Sequence, residues 1–233
     1  MAKKHLLIFG NEDFADIAYE YFTKDSEYEV IGFTVGRDYI KTHKHLNLPI
    51  YSFEDIDISN FPPETHIFVA VTYRELNSLR AKFCEEAKIK GFKLASYISS
   101  KSFVWDNVKF GEHVFIFEDN TIQPFVEIGD NVVLWSGNHI GHHSKLASNL
   151  FVSSHVVISG WVNIGSNGFI GVNSTIANGV KIGNNFWISH ATVISKDIPS
   201  GSIVKSNPSV IEVLNIEALN RSFDRKSDNR KLN

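Results

Sequence analysis

The sequence has very little cysteine and no long apolar run, and these absences restrict its possible class. Cys84 is the only cysteine among 233 residues, which excludes an internal disulfide framework and fits a reducing compartment. No segment approaches the length of a membrane span, and MAKKHLLIFG at the start is typical of a strand rather than a secretion signal. A formal net charge of −3 favours neither nucleic acid nor an anionic membrane as the main partner. We therefore expect a cytoplasmic enzyme or binding protein.

The sequence does contain a strict six-residue repeat of large apolar residues, which runs from Val104 to Ile194 without a gap. The residues two positions earlier are mostly small or aliphatic. Neither an α-helix nor a flat strand keeps one face on a period of six. A parallel β-helix does, because each hexad forms one wall and three walls complete a coil. The sixteen hexads predict about five coils.

Upstream of the repeat, short apolar strands alternate with amphipathic helices, which predicts a small parallel α/β sheet with right-handed crossovers. Strands are predicted at 5–10, 28–35, 66–72 and 93–99, and helices at 14–22 and 74–91. We therefore predict a Rossmann-like α/β acceptor-binding domain over 1–100 and the β-helix over 101–209. Over residues 210–233 we predict a helix at 210–223, which caps the open end of the coil, and then a disordered tail at 224–233.

The walls of the predicted coil carry large aromatic residues, namely Phe115, Phe125, Trp135, Phe151, Trp161, Phe169 and Trp187. An exposed aromatic stripe is a liability on a monomer. We therefore expect self-association, most simply around a threefold axis.

Five of the ten histidines fall between residues 139 and 190, most densely in WSGNHIGHHSKL. On the hexad register Ile140 and Ser144 fill the interior, so that His142 or His143 points outward to the surface that would meet a neighbouring subunit. Three interpretations are open: surface histidines at a polar corner, metal ligands, or general acid/base catalysis by one histidine at a subunit interface. The metal interpretation is the weakest, because successive residues of a coil turn away from each other.

The hexads, the segments WSGNHIGHHSKL, FVSSHVVISGWVNIG and FIGVNSTIANGVKIG, and the preceding α/β region resemble the bacterial sugar acetyltransferases of the left-handed β-helix superfamily. The most similar members are the nucleotide-amino-sugar N-acetyltransferases of bacillosamine and perosamine pathways and the related sialic acid O-acetyltransferases. This resemblance implies a left-handed coil and a homotrimer. It also implies acetyl-CoA lying between adjacent β-helices, and a role in O-antigen or other surface-glycan synthesis.

The resemblance also implies particular site residues. Aligning the hexads without gaps places the family's catalytic histidine on His142. The acidic residue that usually follows it is replaced by His143, so the group that orients His142 is open, with Asn138, Glu118 and Asp119 as candidates. The coenzyme is expected to contact Phe151, His155, Val172 and His190, and the glycines Gly160 and Gly171 are expected to admit its pantetheine arm.

The first strand–helix turn, FGNEDFAD, departs from the resemblance. Related enzymes hold the phosphates of the nucleotide sugar on a glycine-rich turn, whereas this turn has one glycine and two acids. The expected acceptor contacts are Gly10, Asn11, Glu12 and Asp13. A phosphate would meet the charges of Glu12 and Asp13 there, and the residues alone favour Asn11–Asp13 as a simple helix cap.

Together these features predict acetyl-CoA-dependent N-acetylation of a nucleotide-linked amino-dideoxy sugar, with His142 as general base and no metal. We expect direct transfer, because the repeat has no cysteine and Cys84 lies in a helix of the other domain. The lost glycine-rich turn motivates an alternative, O-acetylation of a sialic or related nonulosonic acid. A non-catalytic hexapeptide-repeat assembly protein is the rival from another class, and the histidine cluster argues against it.

Overall fold

A computed structural model of the chain describes residues 3–207 and residue 216. Apart from Ile216, the predicted capping helix over 210–223 lies outside the described residues, as does the predicted tail over 224–233. Within the described part, no helix has the length and apolar character needed to cross a membrane.

The first part of the chain forms a sheet with helices on both faces. Its strands are β1 (Lys4–Phe9), β2 (Tyr28–Val35), β3 (Lys44–His45), β4 (Leu48–Ser52), β5 (His66–Val69) and β6 (Lys93–Leu94). Its α-helices are α1 (Asp13–Lys24) and α2 (Ser78–Ile89), and 3-10 helices lie at Arg37–Tyr39, Ile58–Asn60 and Arg74–Asn77. The strand order is β3-β4-β2-β1-β5-β6, with only the β3–β4 pair antiparallel. The predicted small parallel sheet is therefore present, in the strand order of a doubly wound fold.

Two predicted elements differ from the observed ones. The strand predicted over 93–99 is two strands, because β6 pairs with β5 whereas β7 (Tyr97–Ile98) pairs with a strand of the second domain. The helix predicted over 74–91 begins only at Ser78, because Glu75, Leu76 and Asn77 have left-handed backbone angles. The coil therefore begins at Tyr97, slightly before the predicted boundary at 100/101.

In the second domain each residue of the six-residue series ends a short strand. These strands are β8 (Phe103–Val104), β9 (Lys109–Phe110), β10 (Phe115–Ile116), β11 (Thr121–Ile122), β12 (Glu127–Ile128), β13 (Val132–Leu134), β14 (His139–Ile140), β15 (Lys145–Leu146), β16 (Leu150–Val152), β17 (Val157–Ile158), β18 (Asn163–Ile164), β19 (Gly168–Ile170), β20 (Thr175–Ile176), β21 (Lys181–Ile182), β22 (Phe186–Ile188) and β23 (Val193–Ile194). One more strand, β24 (Ile203–Val204), follows. Residues one coil apart pair in parallel register, as Ile116 does with Leu134, and the series fills one apolar interior. The predicted β-helix is confirmed.

The strands of the coil form three parallel sheets. Sheet 1 has the order β24-β22-β19-β16-β13-β10-β7, sheet 2 has β23-β20-β17-β14-β11-β8, and sheet 3 has β21-β18-β15-β12-β9. The chain turns from sheet 1 to sheet 2 at edge 1–2 (residues 99–102, 117–120, 135–138, 153–156, 171–174 and 189–192). It turns from sheet 2 to sheet 3 at edge 2–3 (residues 105–108, 123–126, 141–144, 159–162 and 177–180).

The outer side of sheet 1 is covered by the α/β domain. Helix α1 and the loop after β5 pack on it, and the Tyr73 ring lies 4.7 Å from that of Phe169. As a result Phe115 and Phe151 are buried, and Trp135, Phe169 and Trp187 are half-buried. The prediction that these five residues form an exposed stripe was therefore wrong. Most of the exposed apolar residues of the coil lie instead on sheet 2 and edge 2–3, and include Phe103, Phe125, Val157, Trp161 and Val193. Ile98 and Ile203 are exposed at the two ends of sheet 1.

A buried polar cluster joins the two domains. Arg80 of α2 is fully buried and donates hydrogen bonds to the Oδ1 of Asn131 and to four backbone carbonyls, those of Val71, Thr72, Asn131 and Leu150. His113 accepts a hydrogen bond from the Val69 N–H at 2.9 Å, and its Nδ1 lies 3.0 Å from Asn131 Oδ1. Burial, reinforced by the Arg80 charge, lowers the pKa of His113 to about 3, so this imidazole is neutral in the folded protein.

Candidate active site

The outward-facing side chain of His142 lies at edge 2–3, just after β14. Its backbone N–H donates to the Gln123 Oε1 of the preceding coil at 2.9 Å. Its Nδ1 lies 3.1 Å from the Nδ1 of His143. A hydrogen bond on one side of the ring leaves Nε2 free to exchange a proton with a bound molecule.

The His142 ring extends over Gly160, which stacks below it in the next coil. A β-carbon on residue 160 would lie 2.7 Å from Cε1 and 2.9 Å from Nε2 of His142. Real β-carbons essentially never approach so closely. Gly160 was predicted to admit the pantetheine arm. In the structure, the space left by the absent side chain of Gly160 is occupied by the imidazole of His142.

The His143 ring is held between two aromatic rings from the neighbouring coils. It stacks on Trp161 with ring centroids 4.1 Å apart and planes inclined by 13°, and on Phe125 at 4.6 Å and 29°. Sequence reasoning named both aromatic residues without connecting them to His143. Phe125 lies 18 residues before His143 and Trp161 lies 18 residues after it. This spacing of one coil is the sequence signal that connects the three residues.

In the part of the chain that the structure describes, none of the three groups proposed to orient His142 forms a hydrogen bond with it. Asn138 is buried, where its Nδ2 donates to the Trp135 carbonyl and its Oδ1 accepts from the Val156 N–H. Glu118 accepts hydrogen bonds from the Tyr21 and Ser136 hydroxyls. Both residues, like Asp119, belong to edge 1–2 rather than to the edge that carries His142. Among the residues that the structure describes, the polar partner of the His142 ring is His143.

Most of the expected coenzyme contacts lie on edge 1–2. Val172 and His190 line one cavity of about 280 Å³ together with Phe169, Gly171 and Trp187. His155 is exposed at the same edge, one coil earlier. Phe151 differs, because its side chain is buried in the apolar core between the domains and offers no surface to a coenzyme. The expectation that Phe151 contacts acetyl-CoA therefore conflicts with its place in the fold.

The candidate base and the candidate coenzyme cavity thus lie on different edges of one coil. His142 is on edge 2–3, Val172 and His190 are on edge 1–2, and sheet 2 separates the two edges. A single copy of the chain does not bring these two sets of residues together.

The four expected acceptor contacts all line a cavity of about 820 Å³ in the α/β domain. The cavity lies at the carboxyl ends of β1, β2 and β5, where ligands bind in doubly wound sheets. Gly10 has a φ of +124°, and a β-carbon there would lie 3.2 Å from the Ala70 carbonyl oxygen. Glycine is therefore required at this turn.

The acidic turn is not the simple helix cap that the residue pattern favours. The N-cap residue of α1 is Glu12, and it makes no side-chain capping hydrogen bond. Its carboxylate lies 3.8 Å from the Arg74 guanidinium, and Lys82 and Lys90 line the same cavity. Three cations distant in sequence therefore line the cavity beside the acids of the turn, together with two further acids, Glu54 and Glu86.

Two other chemistries find no support. Cys84 is buried, and burial raises the pKa of its thiol to about 12, which leaves it inert as a nucleophile. In the described ranges, no group of three or more histidine, cysteine, aspartate or glutamate side chains is placed to hold a metal ion.

Comparisons with known proteins address the fold. Neither a scan against protein-family models nor a search of curated proteins gave a match. Among solved structures, the acetyltransferase domain of PglB from Neisseria gonorrhoeae FA1090 matches with a TM-score of 0.76 at 21% identity, covering 90% of this chain and 100% of that one. PerB from Caulobacter crescentus, in complex with CoA and GDP-perosamine, gives 0.73 at 22%, covering 85% and 92%. WeeI from Acinetobacter baumannii AYE gives 0.67 at 18%, covering 90% and 100%.

The likeness extends over both domains and shows a shared fold. The chain has an α/β domain followed by a left-handed β-helix, as the resemblance implied. At the level of fold, the predicted likeness to left-handed β-helix sugar acetyltransferases is confirmed.

Proposed function

We propose that the protein is an acetyl-CoA-dependent N-acetyltransferase whose acceptor is an amino sugar carried on a nucleotide. The observation that carries the proposal is an exposed imidazole, His142, whose Nδ1 is engaged by His143 and whose ring fills the space that a side chain on Gly160 would need. PerB, which binds CoA and GDP-perosamine, shares the fold over 92% of its length. Together these observations favour an acyl-transfer enzyme over an assembly protein without catalytic function.

The proposed reaction is direct transfer. The acceptor nitrogen forms a bond to the thioester carbonyl carbon, and the C–S bond then breaks to release the thiolate of CoA. His142 Nε2 takes the proton that the nitrogen loses and so acts as the general base. The proton then passes to the thiolate, so that the enzyme is regenerated without a covalent intermediate.

We further propose that the enzyme is a homotrimer, with acetyl-CoA bound between protomers. His142 and the cavity at Val172 and His190 lie on different edges of one coil, so a second copy is needed to complete the site. The exposed apolar residues of sheet 2, including Val157 and Val193, lie between these edges and would be covered by such an assembly.

The cavity of the α/β domain is the proposed acceptor site. Its volume of about 820 Å³ suits a nucleotide sugar, and Arg74, Lys82 and Lys90 supply positive charge for phosphates. The lining also carries four acids, Glu12, Asp13, Glu54 and Glu86, so phosphate binding here would depend on contact with these three cations and not on the net charge of the cavity. A substrate pair of acetyl-CoA and a nucleotide sugar also fits the expected cytoplasmic location.

The test is CoA release by the purified protein with acetyl-CoA and a panel of acceptors, namely nucleotide-linked 4-amino sugars, the same sugars without nucleotide, and free sialic acids. We expect release with nucleotide amino sugars and an amide product by mass spectrometry. Release with sialic acids alone would replace the proposal with O-acetylation. No release with any acceptor, together with no binding of acetyl-CoA, would leave an assembly protein as the better description.

A further inference from the structure

We propose that His143 is the positioning residue for His142, and that it fixes the tautomer in which His142 can act as a base. This inference rests on the proposed function. The two Nδ1 atoms are 3.1 Å apart, a hydrogen-bond distance. Only one hydrogen atom fits between them, so one ring donates and the other accepts.

The direction of this hydrogen bond decides whether His142 can act as a base. A neutral imidazole carries its hydrogen on one nitrogen and a lone pair on the other. If the Nδ1–H of His142 donates to His143, the Nε2 of His142 holds the lone pair that takes the proton of the acceptor. If His143 donated instead, the Nε2 of His142 would already carry a hydrogen. Base catalysis therefore requires His143 to be the acceptor, with its own hydrogen on Nε2.

The surroundings of His143 hold its ring in place for this role. Phe125 and Trp161 stack on its two faces, so rotation of the ring would cost both stacking contacts. The polar or small residues placed beside the pair are also uncharged, namely Gln123, Gly160 and, beside Gly160, Asn178. No described contact to either ring therefore competes for the Nδ1 of His143.

Two substitutions of His143 can separate the effect of ring stacking from that of the hydrogen bond to His142, and both new residue types already occur at corners of this coil with the same backbone conformation. Residue 143 has a left-handed backbone with φ 59°, and Phe125 at the same corner position adopts φ 64°. His143→Phe should therefore keep the stacked ring while removing the Nδ1 acceptor. Asn149 adopts φ 62° at another corner, so His143→Asn should fit the backbone and place its Oδ1 near the original Nδ1 as an acceptor.

The kinetic experiment measures kcat and KM for wild type, His143→Phe and His143→Asn. We expect kcat to fall about ten- to a hundredfold in His143→Phe, because misplacement of a catalytic group by about 1 Å can cost about a hundredfold, with KM for acetyl-CoA unchanged. His143→Asn should recover kcat to within about threefold of wild type, because it restores the acceptor. Wild-type kcat in His143→Phe would overturn the proposal, and so would an equal loss in both variants.

The second readout does not depend on transfer. In histidine-labelled protein, ¹⁵N chemical shifts report which ring nitrogen of His142 carries the hydrogen. We expect the Nδ1–H tautomer in wild type and His143→Asn, and its loss in His143→Phe. The Nε2–H tautomer in wild type would refute the inference even if the enzyme is active. If wild type transfers no acetyl group, the proposed function fails, yet this measurement still decides the role of His143.

Discussion

The imidazole of His142 occupies the space that a side chain on residue 160 would need, since a β-carbon there would lie 2.7 Å from His142 Cε1. Gly160 does not have a positive φ, so that alanine fits its backbone. Gly160→Ala should therefore displace the ring with little loss of stability. Because misplacement of a catalytic group by about 1 Å can cost about a hundredfold in rate, we expect kcat to fall by about ten- to a hundredfold.

The control for this variant is Gly179→Ala, at the same edge, where a β-carbon meets nothing within 4 Å. Gly179→Ala should lower the free energy of unfolding somewhat, because residue 179 has a φ of +74°. Its kcat should stay close to that of wild type. Thermal melts and steady-state kinetics of both variants make the comparison. Unchanged turnover in Gly160→Ala would show that the position of the His142 ring has no bearing on the reaction.

Removal of the proposed base gives the most direct test of its role. His142→Ala should lower kcat by about a hundredfold to ten-thousandfold, the usual contribution of a general base. Folding and assembly should persist, because the His142 side chain is exposed. His43→Ala, also at an exposed histidine but in the α/β domain, serves as the control. Activity within a few-fold of wild type would shift the assignment to another histidine of the coil.

Assembly can be tested on sheet 2. Val157 points outward there between His139 and Thr175, and it is 40% exposed in the protomer. Val157→Glu would bury a charge in the proposed interface, which costs far more than exposure of the same charge on a monomer. Light scattering should report a trimer for wild type and a monomer for the variant. Ile89→Glu, on the 85% exposed Ile89 of α2, should remain trimeric, and a trimeric Val157→Glu would place the interface elsewhere.

The neutral His113 makes stability depend on pH. Its folded pKa of about 3 lies below the value of about 6.5 expected in the unfolded chain. Between these two values the unfolded state binds the extra proton, so stability falls by about 1.4 kcal/mol for each pH unit as pH drops from about 6.5 towards about 3. Above about 6.5 this effect vanishes.

His113→Gln retains an acceptor for the Val69 N–H and cannot titrate, so it should lack this part of the dependence. Urea unfolding at about pH 7 and about pH 5 should show wild type losing about 2 kcal/mol more than the variant. An equal loss in both proteins would mean that His113 does not resist protonation in the fold.

Arg80 should be essential to the contact between the domains. Its guanidinium satisfies four backbone carbonyls and the Asn131 side chain without an acidic partner, and burial lowers its pKa to about 10, so it stays charged at neutral pH. Arg80→Met would remove the donor from the four backbone carbonyls, and we expect a loss of about 3 kcal/mol or more in unfolding free energy. Arg80→Lys should recover only part of this free energy, because an ammonium cannot reach all of these acceptors as the planar guanidinium does. Denaturant melts that change by less than about 1 kcal/mol would contradict this role.

The interior of the coil could be predicted from sequence because it obeys a local rule that every hexad repeats. From Val104 to Ile194, each position of the series points inward. The covering of Phe115 and Phe151 could not be predicted, because it depends on which wall the α/β domain meets. The hexad rule predicts three equivalent walls, and only the tertiary fold shows which of them the α/β domain covers.

The candidate site was predictable to a similar degree. The register placed His142 outside, and the period of three hexads, if applied to His143, would have found Phe125 and Trp161. The proximity of Arg74 to Glu12 joins residues from different strand–helix turns. No local pattern encodes that pairing, so the sequence shows the acids of the turn without the cation that lies beside them.

Only Ala95 and Ser96 separate β6 of the first sheet from β7 of the coil, so the domains are joined without a flexible connection. Engineers who want a new acceptor preference therefore cannot treat the first domain as a detachable module. A chimera has to carry the outer surface of sheet 1 along with the transplanted domain, or the exposed Phe115 and Phe151 would drive the hybrid to aggregate. Changes confined to the residues that line the acceptor cavity are the shorter route.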